Sequence, residues 1–141
     1  MDINSFTIEG KPVPASRPKV ARFGVYYPKS HTQREQYLNS VLPTFLGNQS
    51  ALDEPVEVRI LSVMPPYKTS DYPTARCDVD NLSKLPMDCM TKASFWTDDS
   101  LVVALTSLKR FARPGEEPHT KIRIIKIEGT VEDHADRLFD A

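Results

Sequence analysis

The chain has 141 residues, a length that suits a single domain with its own hydrophobic core. Apolar residues make up 40% of it and charged residues 26%, proportions that are ordinary for a soluble globular protein. No run of about 18 apolar residues occurs, which excludes a membrane-spanning helix. The N-terminus lacks the basic start and apolar core of a signal peptide, so we expect a cytoplasmic protein.

The charges are distributed unevenly along the chain. The net charge is −1, yet residues 1–34 carry six basic and two acidic residues, whereas residues 128–141 carry one basic and five acidic residues. A basic arm and an acidic tail of this kind point to a polyanionic partner such as nucleic acid, although the same charges could merely solvate a loop. The basic residues that we expect to contact such a partner are Arg17, Lys19, Arg22 and Lys29.

The first half of the chain predicts two strands around one helix. Ser5–Glu9 alternates polar and apolar residues and predicts a strand, followed by a proline-rich loop through Gly24 and a short extension at Val25–Tyr27. Ser30 or Thr32 could cap a helix whose apolar stripe is Tyr37, Leu38, Val41, Leu42 and Phe45, with Pro43 disturbing its last turns. Val56–Met64 is strongly typical of a strand.

The second half predicts a loop, a shorter helix and two more strands. Pro65–Ala75 is a polar loop with three prolines, and a helix should run from about Asn81 to Lys92. Leu101–Arg110 and Lys121–Glu128 alternate as strands, and Arg113–Pro118 between them predicts a hairpin loop. We therefore expect one small α+β domain over residues 1–128, with a mixed or antiparallel sheet and two main helices. The acidic tail, residues 129–141, would be a short helix or disordered.

The stretch from Cys77 to Ser100 has the highest density of potential ligands. On an extended segment the side chains of Asp78 and Asp80 leave the same face, so both could bind one hard cation, with Asp99 as a third ligand. If Asp80 caps the following helix, Lys84 lies one turn along from it. Carboxylates, a divalent ion and a lysine suit a phosphodiester substrate.

Each of these residues also has an ordinary structural interpretation. Asp80 could be a simple helix cap, Lys84 could form a solvated ion pair with Asp88, and Asp98-Asp99-Ser100 could be a turn that enters a strand. An EF-hand is excluded because Leu82 would occupy the fifth loop position and no glycine follows it. Phe95 and Trp96 are better interpreted as core anchors behind the acidic pair than as stacking platforms for bases.

Two motifs in this stretch resemble those of the RusA-type Holliday junction resolvases of bacteria and phages. Asp78-Val79-Asp80-Asn81-Leu82-Ser83-Lys84 is similar to the family's Asp-x-Asp-Asn-Leu-x-Lys run, and Phe95–Ser100 to its aromatic segment with an Asp-Asp pair. The likeness extends from Phe6 to about Glu128. It implies that Asp78, Asp80 and Asp99 are the metal-binding catalytic carboxylates and that Lys84 is the accompanying lysine. We interpret the nearby Asp88 and Asp98 as supporting or structural residues rather than ligands.

The resemblance also implies a function. It implies an Mg²⁺-dependent endodeoxyribonuclease, with Mn²⁺ as a substitute, that resolves four-way DNA junctions by paired nicks in recombination and repair. A homodimer would supply the two symmetric cuts in a bacterial cell or a phage-infected host. A metal-dependent nuclease for flaps or other branched intermediates, and a non-catalytic DNA-binding relative, remain as alternatives. Pro86 departs from the family pattern, and we expect it to kink the helix just past Lys84.

Overall fold

A four-stranded mixed sheet forms the centre of the protein in this computed structural model, which describes residues 2–66 and 78–140. The strands follow the order β1-β6-β4-β5, with β1 and β6 antiparallel, β6 and β4 antiparallel, and β4 and β5 parallel. Their bounds are β1 Asp2–Glu9, β4 Val56–Met64, β5 Val102–Phe111 and β6 His119–Lys126. The α+β class and the mixed sheet predicted from the sequence are confirmed.

Two helices cover one face of this sheet. They are α1, Lys29–Leu46, and α2, Val79–Lys92. Apolar side chains from both helices and from three strands form the core, among them Leu38, Leu42, Leu85, Met90, Val58, Ile60, Ile122 and Ile124. Of the predicted apolar stripe of α1, Leu38 and Leu42 are buried and Val41 and Phe45 are partly buried, whereas Tyr37 is exposed. The helix continues through Pro43 as far as Leu46.

The predicted hairpin between β5 and β6 is wrong. These two strands pair with opposite edges of β4, which lies between them. Alternating polarity identifies a strand but not its neighbour, and β4 is buried along most of its length because it has a partner on each side. The connecting loop is held instead by the Arg110 guanidinium, which donates hydrogen bonds of 2.6 and 2.9 Å to the Glu116 carboxylate.

Both helices begin earlier than the sequence indicated. The cap of α1 is Pro28, and no side chain caps this end, so the predicted caps Ser30 and Thr32 are wrong. The hydroxyl of Thr32 donates to the Pro28 carbonyl at 3.4 Å instead of accepting from the backbone. The cap of α2 is Asp78, with Asp80 in the first turn, so the prediction that Asp80 is the cap is also wrong.

A small hairpin replaces part of the predicted proline-rich loop. Strands β2, Lys19–Ala21, and β3, Gly24–Tyr26, pair with each other as a separate two-stranded sheet. Pro65 and Pro66 are the part of the predicted loop Pro65–Ala75 that the structure describes, and the rest of the loop lies outside the described residues. In the parts of the chain that are described, no helix is long and apolar enough to cross a membrane.

The acidic tail contains a third helix, α3, Val131–Phe139. Its N-terminus is stabilised by a capping box, in which Thr130 and Asp133 each accept a backbone hydrogen bond from the other. This helix lies on the sheet face opposite α1 and α2. Its His134 Nε2 is 3.8 Å from the carboxylate of Glu57, whereas the neighbouring Val56 and Val58 belong to the core under the two long helices. Of the two states expected for the tail, the helix is the one observed.

Candidate active-site cleft

A cleft of about 580 Å³ opens where the chain before β2 meets the start of α1 and the exposed side of α2. Its charged lining residues carry three positive and three negative groups: Arg17, Lys84, Lys92, Glu35, Asp88 and Asp99. Side chains of both signs in one open groove can bind a phosphate while keeping carboxylates beside it. This cleft is the candidate site.

Lys84 lies in the cleft together with Asp99. The helix α2 runs without a break from Val79 to Lys92, so Pro86 neither ends it nor removes Lys84 from the groove. Pro86 is buried against the core side of the helix. The alternative ion pair between Lys84 and Asp88 is not formed, and the Lys84 side chain is exposed to an incoming ligand.

Asp78 and Asp80 occupy the N-terminal end of the same helix. Asp78 has an extended backbone and its side chain makes no capping hydrogen bond, and Asp80 is already helical. The two residues therefore do not lie on one extended segment. The prediction that an extended backbone would direct both side chains to the same face is wrong. Both side chains are exposed, but neither lines the cleft. Over residues 2–66 and 78–140, no three histidine, cysteine or acidic residues are grouped closely enough to hold a metal ion.

The two aspartates of the Asp98-Asp99 pair have different surroundings. Asp98 caps the short 3₁₀ helix Asp99–Leu101, and its carboxylate accepts a hydrogen bond from the Ser100 backbone at 3.0 Å. That bond is the largest cause that lowers the pKa of Asp98, followed by interactions with the side chains of Asp99 and Ser100. The interpretation of Asp98 as a turn residue is therefore confirmed. Its neighbour Asp99 is exposed and lines the cleft.

Phe95 and Trp96 hold this acidic turn against the core. They are 1% and 2% exposed, which confirms the predicted role as core anchors. The Trp96 indole donates a hydrogen bond of 2.9 Å to the hydroxyl of Thr91 on α2, a residue that also lines the cleft. On the other side, Leu52 donates to the Phe95 carbonyl and accepts from Thr97, each at 2.9 Å. The position of Asp99 relative to α2 therefore rests on a buried aromatic pair.

The arm that carries Arg17 is tied to both helices. The backbone N–H of Ala15 donates to the Asn81 carbonyl at 2.8 Å, and that of Ser16 donates to Nδ1 of His31 at 3.0 Å. These bonds bring Arg17 to the cleft. The other predicted contact residues, Lys19, Arg22 and Lys29, are exposed on the hairpin and at the first turn of α1.

His31 also lines the cleft, and the sequence patterns gave it no role. It is buried, its ring stacks on Tyr27 at 4.6 Å, and its Nε2 lies 3.6 Å from the Glu35 carboxylate. The signal in the sequence was its spacing of four residues from Glu35, which places both on one face of α1.

The fold and the cleft define a small α+β protein whose charged groove combines cationic side chains with an exposed aspartate. Residues 9–125 match the family described as Endodeoxyribonuclease RusA. Because this match covers most of the chain, the protein belongs to that family, which is a family of nucleases. The resemblance seen in the two motifs is confirmed.

Named relatives share a shorter stretch. This chain is 47% identical to the Crossover junction endodeoxyribonuclease RusA of Escherichia coli O139:H28 (strain E24377A / ETEC) over 49 residues, which are 35% of this chain. It is 45% identical over 49 residues to proteins of the same name from Escherichia coli (strain K12) and Enterobacteria phage 82. In each case the shared stretch spans 35% of the relative's length. The helix α3 lies beyond the family match.

Proposed function

We propose that this protein is a structure-specific endodeoxyribonuclease that nicks four-way DNA junctions, with a role in recombination and repair. The observation that carries the proposal is that Lys84 and Asp99, from two separate motifs, line one cleft with Arg17. The family membership supports DNA as the substrate, and the names of the relatives support the crossover junction as its form.

Hydrolysis of a phosphodiester requires that negative charge developing on the phosphate be stabilised. In this proposal the ammonium of Lys84 offsets that charge, and no competing salt bridge with Asp88 occupies it. Arg17 binds a neighbouring phosphate at the same cleft. Lys19, Arg22 and Lys29 follow the DNA backbone outward from it, and contacts of this kind set affinity and register without reading sequence.

We further propose that Asp78, Asp80 and Asp99 hold a magnesium ion, for which manganese can substitute. Their chemistry fits, since all three are exposed carboxylates and hard divalent cations prefer oxygen ligands. When bound, the ion would activate water and polarise the phosphate. The described residues contain no ready group of three ligands, so we expect weak magnesium binding by the protein without DNA.

Two symmetric nicks require two active sites related by a twofold axis. The cleft is formed by residues of a single chain, so the proposal implies a homodimer on the junction. A monomer would instead be suited to single nicks in a flap.

The test is cleavage of a labelled synthetic four-way junction, compared with a flap and a linear duplex of matched sequence, in Mg²⁺, Mn²⁺ or EDTA. Product mapping should find paired symmetric nicks on the junction that require the metal. Cleavage of the flap in preference to the junction would replace the proposed substrate. Junction binding with no cleavage in either metal would overturn the enzymatic proposal and favour a DNA-binding relative.

A further inference from the structure

The hairpin formed by β2 and β3 exposes an unusual amount of apolar surface. Arg22 and Phe23 form its two-residue turn, with Val20 and Val25 as a cross-strand pair. Phe23 is 85% exposed, Val20 84% and Val25 66%. A two-stranded hairpin without a buried face is marginally stable in water, so side chains of this kind are typical of a contact surface.

The hairpin forms part of the rim of the candidate cleft. Pro18, which lines the cleft, directly precedes β2, and Tyr27, which also lines it, directly follows β3. A ligand that fills the groove and continues past Arg17 therefore meets the hairpin next. The ring of Phe23 lies 5.9 Å from that of Tyr26, and both side chains are exposed, so the tip carries a solvent-facing aromatic surface.

The charges around this surface indicate what it contacts. From Gly10 to Arg34 the chain has no acidic residue, whereas Lys19 and Arg22 flank the exposed apolar side chains. An aromatic ring between cations suits a polyanion that also offers flat apolar faces, which is the chemistry of a nucleic acid base on its phosphate backbone. In an intact duplex those faces are stacked on one another, but at a branch point some of them can be exposed.

We propose that Phe23 stacks on a base that is unstacked at the branch point of the DNA. This inference rests on the proposed function and adds the element that distinguishes a junction from a duplex. Apolar side chains inserted at base steps are a known means of exploiting deformed DNA, and the cations beside Phe23 hold the backbone while the ring contacts the base.

The test uses the full chain in EDTA, so that binding is measured without cleavage. Fluorescence anisotropy gives the affinity for a four-way junction and for a linear duplex, and 2-aminopurine at the branch point reports base stacking. Phe23→Ala should weaken junction binding about fivefold or more while leaving duplex binding within about twofold, because base–aromatic stacking is lost only at the branch. It should also abolish the 2-aminopurine response, and Phe23→Trp should retain both properties.

A matched control is available on the opposite side of the sheet. Phe139, on α3, is 83% exposed, so Phe139→Ala removes the same side chain from a similar environment without touching the cleft. This control should bind both DNAs as the unmodified protein does. Because both phenylalanines are exposed, we expect all the variants to fold, and circular dichroism checks this.

Three results with Phe23→Ala would overturn the inference. Junction preference could persist in Phe23→Ala, or this variant could lose affinity for junction and duplex equally. Light scattering could also show that the substitution changes the oligomeric state, which would make the hairpin a contact between copies of the chain. If the unmodified protein itself binds junction and duplex alike, this inference fails, whereas the proposed function is decided separately by the cleavage assay, so the two failures are distinguishable.

Discussion

The Nδ1 atom of His31 accepts a hydrogen bond of 3.0 Å from the backbone N–H of Ser16. The neutral ring then carries its proton on Nε2, which lies 3.6 Å from the Glu35 carboxylate. On its face the ring stacks on Tyr27, with the planes 16° apart. One buried side chain thus joins the segment that carries Arg17 to the first turns of α1.

His31→Ala should weaken DNA binding about three- to tenfold, because Ser16 loses its acceptor and Arg17 is no longer held at the cleft. The substitution should also lower the free energy of unfolding by about 1–3 kcal/mol, through the unpaired backbone N–H and the lost packing. His31→Asn supplies a side-chain acceptor and should recover part of the binding. Equal loss in both variants, measured by anisotropy, would show that ring packing matters and the hydrogen bond does not.

Local sequence patterns predicted those parts of this protein that depend on nearby residues. Val56–Met64 was recognised as a strand at its exact bounds, and the paired motifs identified Lys84 and Asp99, which do share a cleft. The end of α2 at Lys92 also agreed, whereas its start lay two residues earlier than predicted. Several residues here can serve as a cap, and local propensity does not choose between them.

Relationships between distant segments were not predictable in the same way. The insertion of β4 between β5 and β6 depends on long-range pairing, which an alternating pattern does not specify. His31 was overlooked for the same reason, because its partner Ser16 lies fifteen residues away in the chain. The arrangement of Asp78 and Asp80 was mispredicted because an extended backbone was assumed where α2 has already begun.

Lys84→Met should reduce the rate of junction cleavage about 10²–10³-fold, because removal of one preorganised electrostatic contact to a transition state has an effect of that size. Methionine keeps the length and helix preference of the side chain, so α2 should remain intact. The matched control is Lys121→Met on the exposed surface of β6. Single-turnover cleavage measures the effect, and a rate within about threefold of the unmodified protein would remove Lys84 from the chemistry.

The stability of the loop between β5 and β6 should depend on pH through Glu116. Hydrogen bonds from the Arg110 side chain and then from the Arg113 backbone lower the pKa of this carboxyl from 4.5 to about 2. Because the folded state favours the ionised form, its contribution to stability is complete above pH 4.5. It falls as the pH drops from 4.5 towards 2 and is absent below that.

Glu116→Gln removes this titration. The difference in unfolding free energy between the unmodified protein and the variant should therefore be largest at pH 5 and should shrink steadily towards pH 2. Urea unfolding at pH 5, 3.5 and 2 measures this difference. A difference that stays constant over the whole range would mean that the ion pair with Arg110 does not form in solution.

Asp80→Asn should abolish cleavage and leave junction binding unchanged or stronger. The carboxylate is exposed in the first turn of α2, so the substitution removes a negative charge near the DNA without removing any of the cations that bind phosphate. Asp136→Asn makes the same change on α3, across the sheet from the cleft, and should affect neither property. Binding is measured in EDTA and cleavage in Mg²⁺. If Asp80→Asn lost junction affinity while Asp136→Asn did not, Asp80 would be required for DNA binding itself, and its proposed role as a metal ligand for cleavage would be wrong.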